Sequence, residues 1–362
     1  MSTVYDALSQ RKSHGESTVI RVIGWDIGGA NVKAARLLFT GGRAESGAAI
    51  RRYFELWNNA RDLRRLLQEI YSDLGRADAM VLTMTGELCD AFNDRAEGIA
   101  HIIDAARGAA QGIPLYVINL DGLLIRLDGG EVDLLTLAPT NWIAEALVLA
   151  TRQPDCLLVD IGSTTTDLIP IVGRKIAARG KRDIERLVHG ELIYTGVLRT
   201  PVTAITSRIP LRGTICPISA EHFAVSADVY VTLGRLQPED YTCATPDGHE
   251  KTRQGALRRL ARVVCEDSKH LTVGELHAMA AYIAERQIQQ ITEGMFQVLS
   301  RFENGHCLPV APVGVGAFLG ETCAKRLGLA ICDPPVLTDS GSLSLSPCAA
   351  AATLLGEAIS HP

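Results

Sequence analysis

Apolar and polar positions along the chain follow two rhythms. Short apolar runs bounded by Gly, Asn and Asp predict strands over Val19–Trp25, Asn31–Phe39 and about Ala48–Trp57. A helical rhythm follows, with Leu63, Leu66, Leu67, Ile70, Tyr71 and Leu74 on one stripe of a helix predicted over Arg61–Leu74. Met80–Met84 reads as a buried strand that ends in Thr85-Gly86-Glu87, Asp94–Gln111 as a helix and Leu115–Asn119 as a short strand. Pro139 opens a helix through Ala150, since proline suits a first helical turn.

The pattern then restarts. Strands are expected over Cys156–Asp160 and Thr166–Val172, followed by a mixed region, Arg174–Pro217, that contains "HGELIYTGVLRTPV". Helices are expected over Ala220–Leu233, Thr252–Cys265 and Val273–Phe302, with a loop at Asp240–Glu250 carrying the turn signal Asp247-Gly248. "PVAPVGVGAFLGE" reads as strand, glycine turn and helix start, and a strand near Pro335–Leu337 and a helix over Pro347–Ile359 close the chain. The fold class is therefore α/β with two lobes and a cleft between them, lobe one at 19–153 and lobe two at 154–362. The last helix is free to pack back on lobe one. Residues 1–18 are polar, lack the apolar core of a secretory signal and are expected to form a disordered tail.

Composition narrows the function classes. The 362 residues are 47% hydrophobic and 21% charged with net charge −5, which suits a globular protein and argues against nucleic acid as a partner. No uninterrupted apolar stretch reaches the length of a bilayer span, so no membrane partner is expected. Nine scattered cysteines without Cys-x-x-Cys suit buried thiols in a reducing, cytoplasmic setting. Cys216 and His222 share a spacing with Cys243 and His249, but it is not a usual zinc-finger spacing, and unrelated thiols and imidazoles are the favoured reading. Small-molecule substrates are expected, and homo-oligomer formation is left open.

Two stretches carry the chemistry. "VIGWDIGGANVKAA" from Val22 and "LLVDIGSTTTDLIPI" from Leu157 each run apolar to an Asp-Ile-Gly and turn back into a second apolar run. A strand ending in Asp-x-Gly places a carboxylate at its tip, and the turn's N–H groups can form an anion-binding nest. One such hairpin is an ordinary tight turn; two, each opening a β-rich half, suggest a phosphate chain gripped from both sides. Asp26, Asp160 and Asp167 become candidate ligands of Mg²⁺, which favours carboxylate, water and phosphate oxygens. Gly28, Gly29, Asn31 and Lys33 in the first hairpin, and Gly162, Ser163, Thr164, Thr165 and Thr166 in the second, become candidate diphosphate ligands.

These motifs, with Val313-Gly314-Val315-Gly316-Ala317 as a third, resemble in kind and order those of the actin-like ATPase superfamily, whose fold is ribonuclease H-like. The resemblance implies that Lys33 points at phosphate and that Gly314 and Gly316 form the adenosine-side motif, and these two glycines join the candidate diphosphate ligands. The run Asp160–Asp167 is similar to the hydantoinase and oxoprolinase branch. "TMTGEL", Asn141-Trp142, "YTGVLRTPV", "SADVY" and "RRLARVVCED" further resemble a small group linked to tetrahydromethanopterin-dependent one-carbon metabolism. For that group the implied activity is a transferase step of methanofuran biosynthesis. An (aminomethyl)furanmethyl diphosphate is coupled to the phenol of γ-glutamyltyramine, and diphosphate leaves. The implied cofactor is Mg²⁺; ATP could bind but is not required by this reaction. Lys33, Asp160 and Glu87 are the candidate catalytic residues, with Glu191 and His189 as rivals of Glu87 for a general base. Lys251, Arg253, Arg258, Arg259 and Arg262 read as a solvated helix face, with contact to glutamyl carboxylates as the sharper alternative. An ATP-dependent kinase or hydantoinase-type enzyme, and a non-enzymatic nucleotide switch, are the rival functions.

Overall fold

The structure, a computed structural model, describes residues 19–127 and 132–360; the tail expected over 1–18 lies outside them. The described residues fall into two compact units. One runs through Pro154 and takes up the chain again at Pro334, and the other is Asp155–Asp333.

The first unit is built on a six-stranded sheet of order β3-β2-β1-β4-β5-β6. β1 (Ile20–Ile27) and β2 (Asn31–Thr40) form the first hairpin, with Asp26 opposite Lys33. β3 spans Arg43–Tyr53, earlier than expected. Gly41 and Gly42 both take positive φ, so the chain reverses in two residues and pairing resumes at once, Thr40 against Arg43. The last expected strand residues instead lie in a single helical turn, α1 (Leu56–Asn59). α2 (Leu63–Leu74) buries Leu63, Leu67, Ile70 and Leu74. β4 (Ala79–Met84), buried throughout, runs parallel to β1. α3 (Arg95–Ala110) is started by Asp94, whose carboxylate accepts the Glu97 N–H at 2.8 Å. β5 (Leu115–Ile118) follows, with β6 (Leu124–Arg126) as an edge strand that the sequence pattern misses, and then α4 (Asn141–Arg152).

The second unit repeats this beginning on a smaller sheet, β10-β8-β7-β13, with β9 also paired to β8. β7 (Cys156–Ile161) and β8 (Thr166–Val172) form the second hairpin, with Asp160 opposite Asp167. Between them and the long helices lie β9 (Lys175–Ile176), α5 (Asp183–Val188), β10 (Leu192–Ile193), α6 (Val202–Ile205) and the hairpin of β11 (Arg208–Leu211) and β12 (Thr214–Pro217). The helix expected over Ala220–Leu233 is confined to α7 (Ser226–Thr232), because the preceding chain is extended and bridged to Pro201 through Val225. α8 (Arg253–Val263) and α9 (Val273–Leu299) match expectation closely; Thr272 and Glu275 close a reciprocal capping box on α9. β13 (Val310–Val313) runs parallel to β7 and leads into α10 (Ala317–Arg326).

After Asp333 the chain belongs to the first unit, so the second lobe does not extend to 362 as expected. The expected strand at Pro335–Leu337 is reduced to a single bridge, Val336 to Ser344. α11 (Pro347–Ser360) lies on β1, β2, β4 and α4. Its Ala349–Ala352 are fully buried, and a Cβ placed on Gly24 of β1 would sit 2.0 Å from the Cys348 carbonyl oxygen. Alanine on the helix and glycine on the strand let the two backbones approach closely.

Candidate functional site

Each unit presents the same local construction at its hairpin. In the first, the Gly28 N–H donates to the Asn31 carbonyl at 2.9 Å; in the second, the Gly162 N–H donates to the Thr165 carbonyl at 2.9 Å. The parallel strand that follows ends in a glycine pressed on the hairpin. After β4 the Thr85 and Gly86 N–H groups both donate to the Ile27 carbonyl, and a Cβ on Gly86 would lie 2.9 Å from the Gly28 carbonyl carbon. After β13 the Gly316 N–H donates to the Ile161 carbonyl, and a Cβ on Gly314, whose φ is +81°, would lie 2.3 Å from Asp160 Oδ1. "TMTGEL" is thus the first unit's counterpart of "PVGVGA". Their shared place, directly after the parallel strand, is the sequence signal that pairs them.

At the first hairpin, Asp26 is 4% exposed and accepts from Lys33 Nζ at 2.9 Å through Oδ2. Its Oδ1 is buried without a hydrogen-bond partner. Buried polar atoms are nearly always paired, so an orphaned carboxylate oxygen suits a cation or a water-bound cation. Burial, with the Asp26 charge adding to it, pushes the nearby Cys348 thiol up to about 11. Gly28 and Gly29 are half-buried at the turn. The Asn31 side chain is buried and its Oδ1 accepts from Arg51 Nε at 3.1 Å, which makes it a brace between β2 and β3.

At the second hairpin, Ser163, Thr164 and Thr165 are half-buried at the turn, with Ser163 Oγ 3.4 Å from Thr164 Oγ1. Two expected ligands are otherwise engaged. Thr166 is fully buried and its hydroxyl donates to the Thr195 carbonyl at 2.7 Å, so it braces the hairpin and does not face a ligand. Asp167 is buried in an ion pair with Arg186 at 2.8 Å, which draws it away from metal duty. Among the described residues no group of three or more His, Cys, Asp or Glu side chains is gathered to hold a metal. Mg²⁺ needs no such cage, since one or two carboxylates with water and substrate phosphate suffice. Of the expected carboxylates, Asp26 carries the orphaned oxygen, and Asp160 is half-buried at the end of β7.

The base candidates are placed less favourably. Glu87 is 1% exposed and lies 3.4 Å from Arg95, an inward ion pair where an exposed cleft residue was expected. Glu191 is fully buried; it accepts the Arg179 and Gly180 N–H groups at 2.7 and 2.9 Å and pairs with Arg301. It organises its own loop. His189 caps α5, and its carbonyl accepts from Arg301 Nη2 at 3.0 Å. The basic run is a solvated face only in part, with Arg253 and Arg262 exposed. Arg259 is fully buried against Asp228, Arg262 pairs with Asp247 and Arg258 with Glu250, while Lys251 Nζ stands 5.8 Å from the centre of the Tyr241 ring. Those arginines answer the protein's own carboxylates.

With this geometry in view, the comparisons with known proteins are specific. The family model described as hydantoinase/oxoprolinase matches residues 78–356. A relative from Methanocaldococcus jannaschii named "(4-{4-[2-(gamma-L-glutamylamino)ethyl]phenoxymethyl}furan-2-yl)methanamine synthase" is 35% identical over 284 residues, covering 78% of this chain and 83% of that one. A relative of the same name from Methanococcus vannielii is 38% identical over 148 residues, 41% of this chain and 66% of that one. A nucleotide-free structure of acetone carboxylase superposes with a TM-score of 0.54 at 12% identity, covering 93% of this chain and 71% of that one. At that identity it bears on the fold alone, and the fold is the actin-like ATPase α/β architecture. Among the described residues no helix is long and apolar enough to cross a membrane.

Proposed function

The chain belongs to the hydantoinase/oxoprolinase family, and from that premise we propose that it is a transferase joining an (aminomethyl)furanmethyl diphosphate to the phenol oxygen of γ-glutamyltyramine. The observation that carries this reading is the 35% identity to the Methanocaldococcus jannaschii synthase, spread over 83% of that protein. The product in that protein's name is an aryl ether on a furanmethyl carbon. Forming it from a diphosphate breaks one carbon–oxygen bond and makes another; the phenol proton leaves with the diphosphate or passes to solvent.

The site residues are suited to that task. A furanmethyl carbon tolerates positive charge, because the ring and its oxygen stabilise it. The protein's work is then to hold the diphosphate and neutralise the charge that grows on it. In the first unit we assign Lys33 and the turn at Gly28 and Gly29 to this role, and in the second the turn at Gly162, Ser163, Thr164 and Thr165. Lys33 is held in place by its ion pair with Asp26. Mg²⁺, held by Asp26 or Asp160, would supply further charge neutralisation. No carboxylate or imidazole is assigned as base: a phenol has a pKa of only about 10, and attack on a cation-like carbon asks little of one. Nucleotide is not required by this chemistry, and the Gly314–Gly316 turn is accounted for by its packing on Asp160 and Ile161.

The test is an incubation of the purified protein with γ-glutamyltyramine, the furanmethyl diphosphate and Mg²⁺, without ATP. Ether and inorganic diphosphate are expected in equal amounts. A strict requirement for ATP, or a phosphorylated product with no diphosphate released, would replace the transferase with an ATP-dependent enzyme of the same fold.

A further inference from the structure

The segment Thr195–Thr200 is wrapped around the second hairpin's turn. The Val197 N–H donates to the Gly162 carbonyl at 3.0 Å, and the Leu198 and Arg199 N–H groups both donate to the Ser163 carbonyl, at 3.1 and 2.9 Å. Gly196 lies so close that a Cβ there would stand 2.5 Å from the Thr164 nitrogen. The segment is fixed from behind. Gln287 of α9, fully buried, donates to Thr195 Oγ1 at 2.9 Å and to the Gly196 carbonyl at 2.8 Å, while Tyr230 donates to Gln287 Oε1 at 2.7 Å. Thr200 ties its two ends, accepting the Gly196 N–H at 2.7 Å.

This bracing delivers one cation to the turn. Arg199 is half-buried, and its Nη1 donates to Thr164 Oγ1 at 3.4 Å. The turn's own residues, Gly162 to Thr165, carry no charge. The nearby Asp167 is neutralised by Arg186. Asp160, at the end of β7, brings to this turn the carboxylate considered above for Mg²⁺, and Arg199 adds a guanidinium whose backbone is fixed on both sides. A guanidinium presents parallel N–H donors that match two phosphate oxygens, and a prefixed one loses little entropy on binding. We propose that Arg199 is a diphosphate-binding residue, acting with the Ser163–Thr165 turn on the leaving group. This inference rests on the reading of the substrate as a diphosphate.

The experiment compares wild type with Arg199→Gln and Arg199→Lys by calorimetric titration with inorganic diphosphate and Mg²⁺, and by steady-state turnover. Glutamine is expected to weaken diphosphate binding and raise the KM for the furanmethyl diphosphate by about thirtyfold, as loss of a charge-assisted pair implies, with the KM for γ-glutamyltyramine within about twofold. Lysine should recover part of the affinity, since it restores charge without the fork. A purely structural role would lower the melting temperature and leave diphosphate affinity unchanged, and that result overturns the proposal. The outcomes also separate the two readings. If wild type binds diphosphate through Arg199 yet makes no ether, the activity reading fails and the site stands. If ether forms and Arg199→Gln binds diphosphate as wild type does, the site fails and the activity stands.

Discussion

The Asp26–Lys33 pair sets stability against function within one contact. Asp26 is almost wholly buried, whereas the Lys33 side chain is 37% exposed, so the pair is only partly shielded from water. Removing the lysine leaves a buried carboxylate without its donor. A fully buried pair broken in this way loses about 3–5 kcal/mol, and solvent reaching Lys33 reduces that to about 1–2. Lys33→Met is therefore expected to lower the unfolding free energy by that amount and to cut turnover roughly a hundredfold, because a contact to the developing charge is lost. Adding Asp26→Asn removes the uncompensated charge. The double variant should regain most of the stability in urea denaturation while remaining as inactive as Lys33→Met. Recovery of activity together with stability would mean that Lys33 serves folding alone.

At the scale of elements, the twin hairpins were legible because each combines an apolar strand, an Asp-Ile-Gly stop and a second apolar strand. The helices α2, α3, α8 and α9 were legible from periodicity and caps such as Asp94 and Thr272. What stayed hidden depends on partners far along the chain. Val225 is extended because Pro201 bridges it, and nothing near Ala220 announces that. Glu87 looks exposed after a strand end, yet it is buried against Arg95 from the next helix. Asp167 and Arg259 read as a metal ligand and a solvated cation, and each is buried beside an opposite charge that sequence spacing does not reveal. The fit of α11 on β1 is of this kind. Gly24 has no room for a side chain, its nearest neighbours being backbone atoms of Cys348 and Ala352. Gly24→Ala must push the helix off the sheet, and overpacking of this sort costs about 1–3 kcal/mol. Thermal denaturation should show a melting temperature lowered by several degrees. A variant as stable as wild type would show that α11 is not held at that distance.

The whole molecule is two units of unequal chain economy. The second, Asp155–Asp333, is one continuous stretch with its own sheet and its own core, a cluster that includes Leu157, Val159 and Ile161 of β7 and Met279, Ile283, Ile291 and Met295 of α9. The first is discontinuous: its sheet is complete by Arg126, but the helix lying on β1 and β2 arrives only after the second unit has been made. That difference predicts different behaviour of the parts. The fragment 155–333 should fold alone, with a single cooperative urea transition and native-like circular dichroism, because among the described residues its core cluster is drawn wholly from within it. The fragment ending at Pro154 lacks α11 and leaves the close-packed face around Gly24 open to water. It should be aggregation-prone or only partly ordered, and supplying residues 334–362 as a separate peptide should restore a cooperative transition. Cooperative folding of the shorter fragment without that peptide would show that α11 merely rests on a finished unit.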